Sequence, residues 1–356
     1  MQVREMADRF RGGSGLLAII ALLSTAALPA CHGCSRTSSE TTTPSDDYVV
    51  QDFHCQRFDR PHRVASAVQH EGELWAVASS GALWSLSTST PAVTRRLSSE
   101  VALGLKRTTS GLVVVSVVDG AVRARTRRAA TWSSPVELGS MAAGASLAES
   151  VDGRVALVSR DELVFVSPET LTMQARIALA APLPPASGTP VLAGTSLYLV
   201  SRAEERSSLV WVDVATGAWT VVERRDDAGL CAGPLNASCD MLGPLIPDPS
   251  HPECVLTAFT MPPARASAER VLRVCGASVA VVRAGREAPA FDALFVHRGE
   301  AWGLSKAGVF RSVEAGKPTL VESVPLATER CRFQVRQLAD GAVAVGSPPV
   351  VAVPGE

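Results

Sequence analysis

The run DPSHPE, from Asp248 to Glu253, carries the side chains of a weak metal site. Imidazole and carboxylate groups are common metal ligands, and Asp248, His251 and Glu253 would supply them. However, Pro249 and Pro252 stiffen the run, and no second cluster in the sequence completes a coordination shell. We therefore predict no metal ion here and keep the three polar side chains as a candidate binding surface.

A second candidate surface is the alternating row Arg123, Arg125 and Arg127, which places three guanidinium groups on one face of a strand. Such a face suits phosphate, an acidic glycan or the carboxylates of a partner. The alternative is a charged outer strand that resists edge-to-edge association. We favour the alternative, because charged side chains commonly protect the edges of sheets.

The sequence contains no catalytic motif that we recognise. It holds no Gly-x-Ser-x-Gly elbow, no His-Glu-x-x-His pair, no Walker A loop and no EF-hand pattern. A sialidase-like mechanism requires a tyrosine nucleophile, and the two tyrosines, Tyr48 and Tyr198, both lie in predicted strands. The net charge of −1 creates no overall field that would attract nucleic acid. We therefore predict no cofactor and no nucleic-acid partner.

The elements that must position these residues are clearest between residues 63 and 97. Short apolar runs predict strands at 63–69, 73–79, 82–88 and 92–97. Gly72 and Gly81 suit the tight turns between them, and Pro91 lies in the third turn. Four short strands joined by hairpins within about 40 residues match one blade of a β-propeller.

The same pattern recurs along the chain. Glycines that begin a hairpin turn lie at positions 72, 111, 153, 194, 299 and 341, and most follow one another at about 40 residues. The wider gap between Gly194 and Gly299 has room for one further unit and an insertion. We predict an all-β fold, a β-propeller of about seven four-stranded blades over residues 48–356, with six or eight blades as alternatives.

Three segments depart from the repeat. The last unit ends one strand short, after Val350–Val353, while Tyr48–Phe53 forms an orphan strand before the first unit. We predict that this N-terminal strand becomes the outer strand of the last blade and closes the ring, which would remove an exposed edge. The segment 224–263, rich in proline and cysteine, is predicted to be an irregular insertion, and such loops often hold binding sites.

The seven cysteines that follow Cys31 predict a disulfide framework if the chain folds in an oxidising compartment. Three pairs follow from the predicted topology: Cys254–Cys275 across a hairpin, Cys231–Cys239 around a local loop, and Cys55–Cys331 as a latch between the two ends of the ring. This pairing is one of 15 that six cysteines allow. Cys34 is left over, either free or in an intermolecular bridge.

Three short stretches resemble turns of known propeller repeats. WVDVATGAW, Trp211–Trp219, resembles the Asp-x-x-Thr-Gly-x-x-Trp turn of PQQ-type repeats, with one residue fewer before the final tryptophan. VSPETLTMQ, from Val166, resembles the related turn of YVTN-type repeats. TWSSPVEL, Thr131–Leu138, resembles the end of a sialidase-type Asp-box, although Arg127 stands where that box has its Asp. These resemblances imply the fold and transfer no activity.

The first 30 residues are organised as a signal peptide for export. Arginines precede the apolar run Leu16–Leu28, which is short for a transmembrane helix. Leu28-Pro29-Ala30-Cys31 resembles a bacterial lipobox, with Pro29 as a departure. The resemblance implies that Cys31 is acylated, becomes the mature N-terminus and anchors the chain in a membrane. His32 replaces the Asp that tends to retain such lipoproteins at the inner membrane, which favours the outer membrane.

The alternative to a lipid anchor is a secreted protein with a fortuitous cysteine. In either case residues 31–47 precede the predicted propeller, and Ser35–Asp47 contains no apolar residue. A segment without apolar side chains cannot contribute to a core. We predict a disordered tether here.

Together these features favour an exported, lipid-anchored β-propeller that acts as a non-catalytic protein-interaction or ligand-binding module of the cell envelope. Its expected partner is an envelope protein or glycan. The alternative is a propeller hydrolase or quinoprotein-like enzyme with a central-pocket site. A third interpretation, a scaffold that resembles the propeller lipoprotein of the outer-membrane barrel-assembly machinery, depends on the anchor and the PQQ-like turns.

Overall fold

Short strands joined by tight turns form all the regular structure described by the computed structural model. It describes residues 48–51, 64–87, 92–141, 144–150, 152–203, 206–224, 233–234, 241–260, 270–283, 291–305, 307–314, 318–322, 335–338, 341–346 and 350–354. The signal segment, Cys31 and the tether therefore lie outside the described residues, as do Cys34, Cys55, Cys231, Cys239 and Cys331. Within the described ranges, no helix is long and apolar enough to cross a membrane.

The strands group into antiparallel blades in chain order. Blade 1 contains β1 (Tyr48–Gln51), β2 (Val64–His70), β3 (Glu73–Ala78), β4 (Leu83–Ser87) and β5 (Ala92–Arg96). Blade 2 contains β6 (Val101–Thr108), β7 (Gly111–Val118), β8 (Ala121–Arg128), β9 (Thr131–Trp132) and β10 (Val136–Ser140). Blade 3 contains β11 (Ser146–Glu149), β12 (Val155–Val158), β13 (Glu162–Ser167) and β14 (Thr172–Ala178). Blade 4 contains β15 (Val191–Ala193), β16 (Ser196–Ala203), β17 (Arg206–Asp213) and β18 (Trp219–Val221).

The second half of the chain continues in the same way. A small ribbon, β19 (Glu223–Arg224) with β20 (Gly233–Pro234), follows blade 4. Blade 5 contains β21 (Met241–Pro247), β22 (Cys254–Thr260), β23 (Arg270–Cys275) and β24 (Ser278–Arg283). Blade 6 contains β25 (Ala293–His297), β26 (Glu300–Ser305), β27 (Gly308–Arg311) and β28 (Thr319–Glu322), and blade 7 contains β29 (Val335–Gln337), β30 (Val343–Val345) and β31 (Val350–Ala352).

The blades form a closed ring. The first strands β2, β6, β11, β15, β21 and β25 contact one another in that order, and β31 of blade 7 contacts both β25 and β2. Blades 3 and 4 are also joined by a parallel bridge between Glu149 and Val191. The described residues therefore form a β-propeller with seven blades, as the repeat predicts.

The ring closes differently from our prediction. The N-terminal strand β1 pairs with β5 at the outer edge of blade 1, with Tyr48 opposite Arg95, so its expected place in blade 7 is wrong. Blade 7 instead contacts blade 1 through β31, and Gln69 Nε2 donates to the carbonyl oxygens of Gly341 (2.8 Å) and Ala352 (3.0 Å). A short strand can pair with any open edge. The sequence pattern did not discriminate between these two edges.

The core consists of seven apolar clusters, each between two neighbouring blades of the described ring. The middle strands are buried on both faces and so read as continuous apolar runs, such as Leu112–Val115 in β7. Trp75 packs towards blade 2 and Trp84 towards blade 7. Both tryptophans therefore pack between neighbouring blades.

The predicted insertion 224–263 contains the first two strands of blade 5, β21 and β22, so it is not one irregular loop. The prolines in and around Met241–Pro247 concealed β21 in the sequence, whereas β22 is the strand that the predicted Cys254–Cys275 hairpin requires. Cys254 and Cys275 lie directly opposite each other on β22 and β23 and form the predicted disulfide, with their Cα atoms 4.4 Å apart. This bond ties the first hairpin of blade 5 to its third strand.

Candidate binding pocket

Two of the three arginines in the alternating row on β8 form contacts inside the ring. The guanidinium group of Arg127, only 6% exposed, lies 3.3 Å from Glu71 and 3.4 Å from Glu73 of blade 1. Its central carbon also lies 4.6 Å from the centroid of the Trp75 ring, within cation–π range. Arg127 therefore stabilises the contact between blades 1 and 2 through ion pairs and through packing on Trp75.

Arg125 serves a neighbouring contact. Its guanidinium Nη2 lies 2.7 Å from Oε1 of Glu100, a carboxylate that is itself buried and accepts a hydrogen bond from Ser116. Arg123 lies opposite Glu137 of β10, which covers β8 from outside. The row thus lies on a strand that β10 covers. Arg125 and Arg127 therefore form neither an exposed anion-binding face nor a charged outer edge.

The run Asp248–Glu253 is the turn between β21 and β22, and its polar groups are also paired. Asp248, 1% exposed, accepts hydrogen bonds from the backbone N–H groups of Ser250 (2.8 Å) and His251 (3.1 Å). It also forms an ion pair with Nε of Arg273. The Nη2 atom of the same arginine lies 3.0 Å from Oε2 of Glu314 in blade 6. Burial, together with the nearby Asp248 carboxylate, raises the pKa of Glu314.

The third member of that run, Glu253, joins blade 5 to blade 4. Its carboxylate accepts a hydrogen bond from the Thr195 N–H (2.9 Å), and its carbonyl oxygen accepts one from the Tyr198 hydroxyl (2.9 Å). The Tyr198 oxygen in turn accepts the Gly276 N–H (2.7 Å), and burial raises the pKa of Tyr198. Asp248 and Glu253 therefore hold blades together and do not form an open surface.

We call these polar contacts between neighbouring blades the interblade clasps. They include Arg127 with Glu71, Glu253 with Thr195, and Arg273 with Glu314. Among the described residues, no group of three or more His, Cys, Asp and Glu side chains is placed to hold a metal ion. The charged residues that the sequence marks are thus largely structural.

A concave site that the sequence analysis did not single out lies between blades 3 and 4. The cavity has a volume of about 390 Å³. The β14–β15 connection supplies residues 182–186, blade 3 supplies Ser146 and Val158–Arg160, and blade 4 supplies Leu199 and Trp219. Ligand pockets commonly have this size and a mainly apolar lining.

Hydrogen bonds hold the β14–β15 connection over this cavity. The Leu183 N–H donates to the Arg160 carbonyl (2.7 Å), and the indole N–H of Trp219 donates to the Ala181 carbonyl (2.8 Å). Farther along, the Ser187 N–H donates to the Val200 carbonyl (2.6 Å). Pro182, Pro184 and Pro185 have no N–H to satisfy, so they can line the opening without a lost hydrogen bond. The pocket is therefore preformed.

The same connection reaches across the ring. The hydroxyl of Thr189 donates to the carbonyl oxygen of Ala65, which lies on β2 of blade 1. Blades 1 and 4 are not neighbours, so this bond joins the β14–β15 connection to the innermost strand of a blade on a different side of the ring. The proline-rich run APLPPASGTP, Ala181–Pro190, forms this connection, and its prolines are the feature of the sequence that marks it.

The charge in the pocket comes from Arg160, in the turn between β12 and β13. Its side chain is exposed, and its guanidinium makes no ion pair or hydrogen bond with any residue that the structure describes. Among the described lining residues it is also the one with a formal charge. An apolar wall beside an unpaired cation can hold an anion with an apolar body.

Comparisons with known proteins concern the fold. No family model matches the chain, and no curated protein matches its sequence. Streptogramin B lyase is similar over 86% of this chain and 96% of its own, with 11% identity and a TM-score of 0.48. The Dos1 propeller is similar over 82% of this chain and 80% of its own, with 12% identity and a TM-score of 0.45.

A further similar structure is the extracellular domain of the one-component system BT4673 from B. thetaiotaomicron. The similarity covers 84% of this chain, with 10% identity and a TM-score of 0.48, and this chain spans 39% of that one. The assignment of the propeller fold to this chain rests on the arrangement of its own blades.

Proposed function

We propose that the chain is an exported, lipid-anchored β-propeller that binds a ligand in the pocket between blades 3 and 4 without catalysing a reaction. The observation that supports this most is the contrast in how charge is used. Carboxylates such as Glu71 and Glu314 are paired with arginines in the interblade clasps, whereas Arg160 lines a preformed cavity and pairs with no described residue. Preformed pockets bind tightly because little order must be imposed on binding.

Recovery of the ligand tests this proposal. The intact protein is incubated with envelope extract, washed, and denatured, and the released molecules are identified by mass spectrometry. We expect one compound to be retained by the wild type and lost with Ser146→Phe, whose ring would occupy the cavity. If the compound is converted by the wild type during incubation, the non-catalytic proposal is overturned in favour of a propeller enzyme.

The anchor is a separate part of the proposal, supported by the lipobox-like Leu28-Pro29-Ala30-Cys31 and the polar segment that follows. An acylated Cys31 would hold the propeller at a membrane, with the outer membrane favoured by His32. Metabolic labelling with a fatty acid should tag the wild type and fail with Cys31→Ala. Equal labelling of the two proteins would contradict acylation at this residue.

A further inference from the structure

We infer that the pocket between blades 3 and 4 selects small molecules with an apolar body and one carboxylate-type anion, which pairs with Arg160. This inference rests on the proposed binding function and adds the chemical class of the ligand. The inference depends on three properties of the lining residues: their apolar surface, their unpaired polar groups and the position of the charged side chain.

The walls offer apolar contact and few hydrogen bonds. Val158, Leu183 and Leu199 are buried in the cluster between blades 3 and 4, so their positions are fixed by packing. Trp219 packs against the same cluster, and its indole N–H already donates to Ala181. The indole therefore presents ring surface to a ligand, which suits an aromatic or aliphatic body.

Polar groups at the mouth are few. The Ser159 hydroxyl donates to the Glu162 carbonyl (3.1 Å) and accepts the Glu162 N–H (3.2 Å), so the turn already uses it. Ser146 lines the pocket and forms no hydrogen bond through its hydroxyl to a described residue. A ligand rich in hydroxyl groups, such as a glycan, would leave most of its donors unpaired here, and unpaired buried polar groups weaken binding.

The sign of the charge selects an anion. No carboxylate is among the described lining residues, and Asp161, next to Arg160 in sequence, is not part of the lining. A guanidinium group presents a planar pair of donors that matches a carboxylate in two parallel hydrogen bonds. A cation would meet Arg160 without compensation, and a neutral ligand would leave the guanidinium unused.

The test uses 1-anilinonaphthalene-8-sulfonate, a fluorescent apolar anion, as the probe of the intact protein. Competitors are a matched pair, 4-phenylbutyrate and its neutral amide. We expect the acid to displace the probe at about one tenth of the amide concentration, because a charge-assisted hydrogen bond is lost with the amide. Arg160→Gln should remove this difference, while Arg128→Gln, at an exposed arginine of blade 2, should preserve it.

The outcomes separate the ligand class from the binding function. Equal displacement by acid and amide, with no effect of Arg160→Gln, would overturn the anion inference. If Ser146→Phe still abolished probe binding in that case, the pocket would remain a binding site. A neutral or cationic compound recovered from envelope extract would likewise overturn the anion inference alone. If Ser146→Phe left probe binding unchanged, the probe would bind elsewhere on the protein. The experiment would then support neither the anion inference nor the proposed binding function.

Discussion

The interface between blades 1 and 2 and the interface between blades 3 and 4 solve the same packing problem in different ways. The first is filled: Trp75, fully buried, contacts Trp132 edge-on at 5.6 Å and lies under Arg127, which is held by two glutamates. The second is spanned by the β14–β15 connection and keeps a cavity of about 390 Å³ beside the unpaired Arg160. The same blade architecture therefore forms either a filled interface or a pocket, depending on the side chains and on the connection that crosses the interface.

The largest expected effect concerns the two tryptophans. Trp75→Ala should lower the free energy of unfolding by about 3–5 kcal/mol, because it empties a fully packed site. Trp219→Ala removes a half-buried ring at the pocket and should cost clearly less. Urea unfolding of both variants checks this, and equal losses would contradict the difference between a filled and an open interface.

The next effect concerns the two arginines. Arg127→Ala leaves Glu71 and Glu73 without their partner and removes the contact with Trp75, so we expect a loss of about 2–4 kcal/mol. Arg160→Gln alters an exposed side chain without partners among the described residues and should change stability by less than about 0.5 kcal/mol. Thermal unfolding of the matched pair measures the difference, which should vanish if Arg127 were merely a surface charge.

A third pair of variants adds volume instead of removing it. Ala102→Phe forces a ring into the packed cluster between blades 1 and 2 and should cost about 1–3 kcal/mol. Ser146→Phe places a ring at the existing cavity and should cost less than about 1 kcal/mol. Both residues lie on the first strand of a blade, so unfolding curves compare them directly. A larger loss for Ser146→Phe would mean that the cavity cannot accept a side chain.

The smallest effect is a pH dependence at the filled interface. Burial lowers the pKa of His70 below 6.5, and Arg127 and Arg107 add to this, while Glu71 and Glu73 oppose it. The unfolded chain then binds more protons than the folded chain just below pH 6.5, so stability should fall as the pH decreases through this window. His70→Gln should flatten the slope between pH 7.5 and 5.5 in unfolding measurements. An unchanged slope would assign the pH dependence to other groups.

The turns and the strands of each blade were predictable because their causes are local. Gly72 and Gly81 adopt positive φ angles of 74° and 80°, which explains why hairpin turns fall where glycine recurs. The Cys254–Cys275 bond was predictable for the same reason, since a hairpin brings its flanking residues face to face. Such local features remain recognisable even where the repeats share little sequence identity.

The roles of the charged residues were not predictable in this way. Arg127 and Asp248 look like exposed groups in the sequence, but both are buried by residues far away in the chain. The place of Tyr48–Gln51 also depended on which open edge lay within reach. The pocket depended on the path of a proline-rich connection, for which alternating strand patterns contain no signal.

The sequence by itself determined the strands, the turns, the approximate number of blades and one disulfide, because backbone preferences and hairpin geometry act over a few residues. Tertiary structure alone decided how the ring closes, which charges become clasps and where an interface stays open. Those outcomes depend on contacts between blades, where a side chain's partner lies on another blade. Arg127 and Arg160 differ in this way. Arg127 is paired because two glutamates of blade 1 lie beside it, and Arg160 has no such neighbour among the described residues.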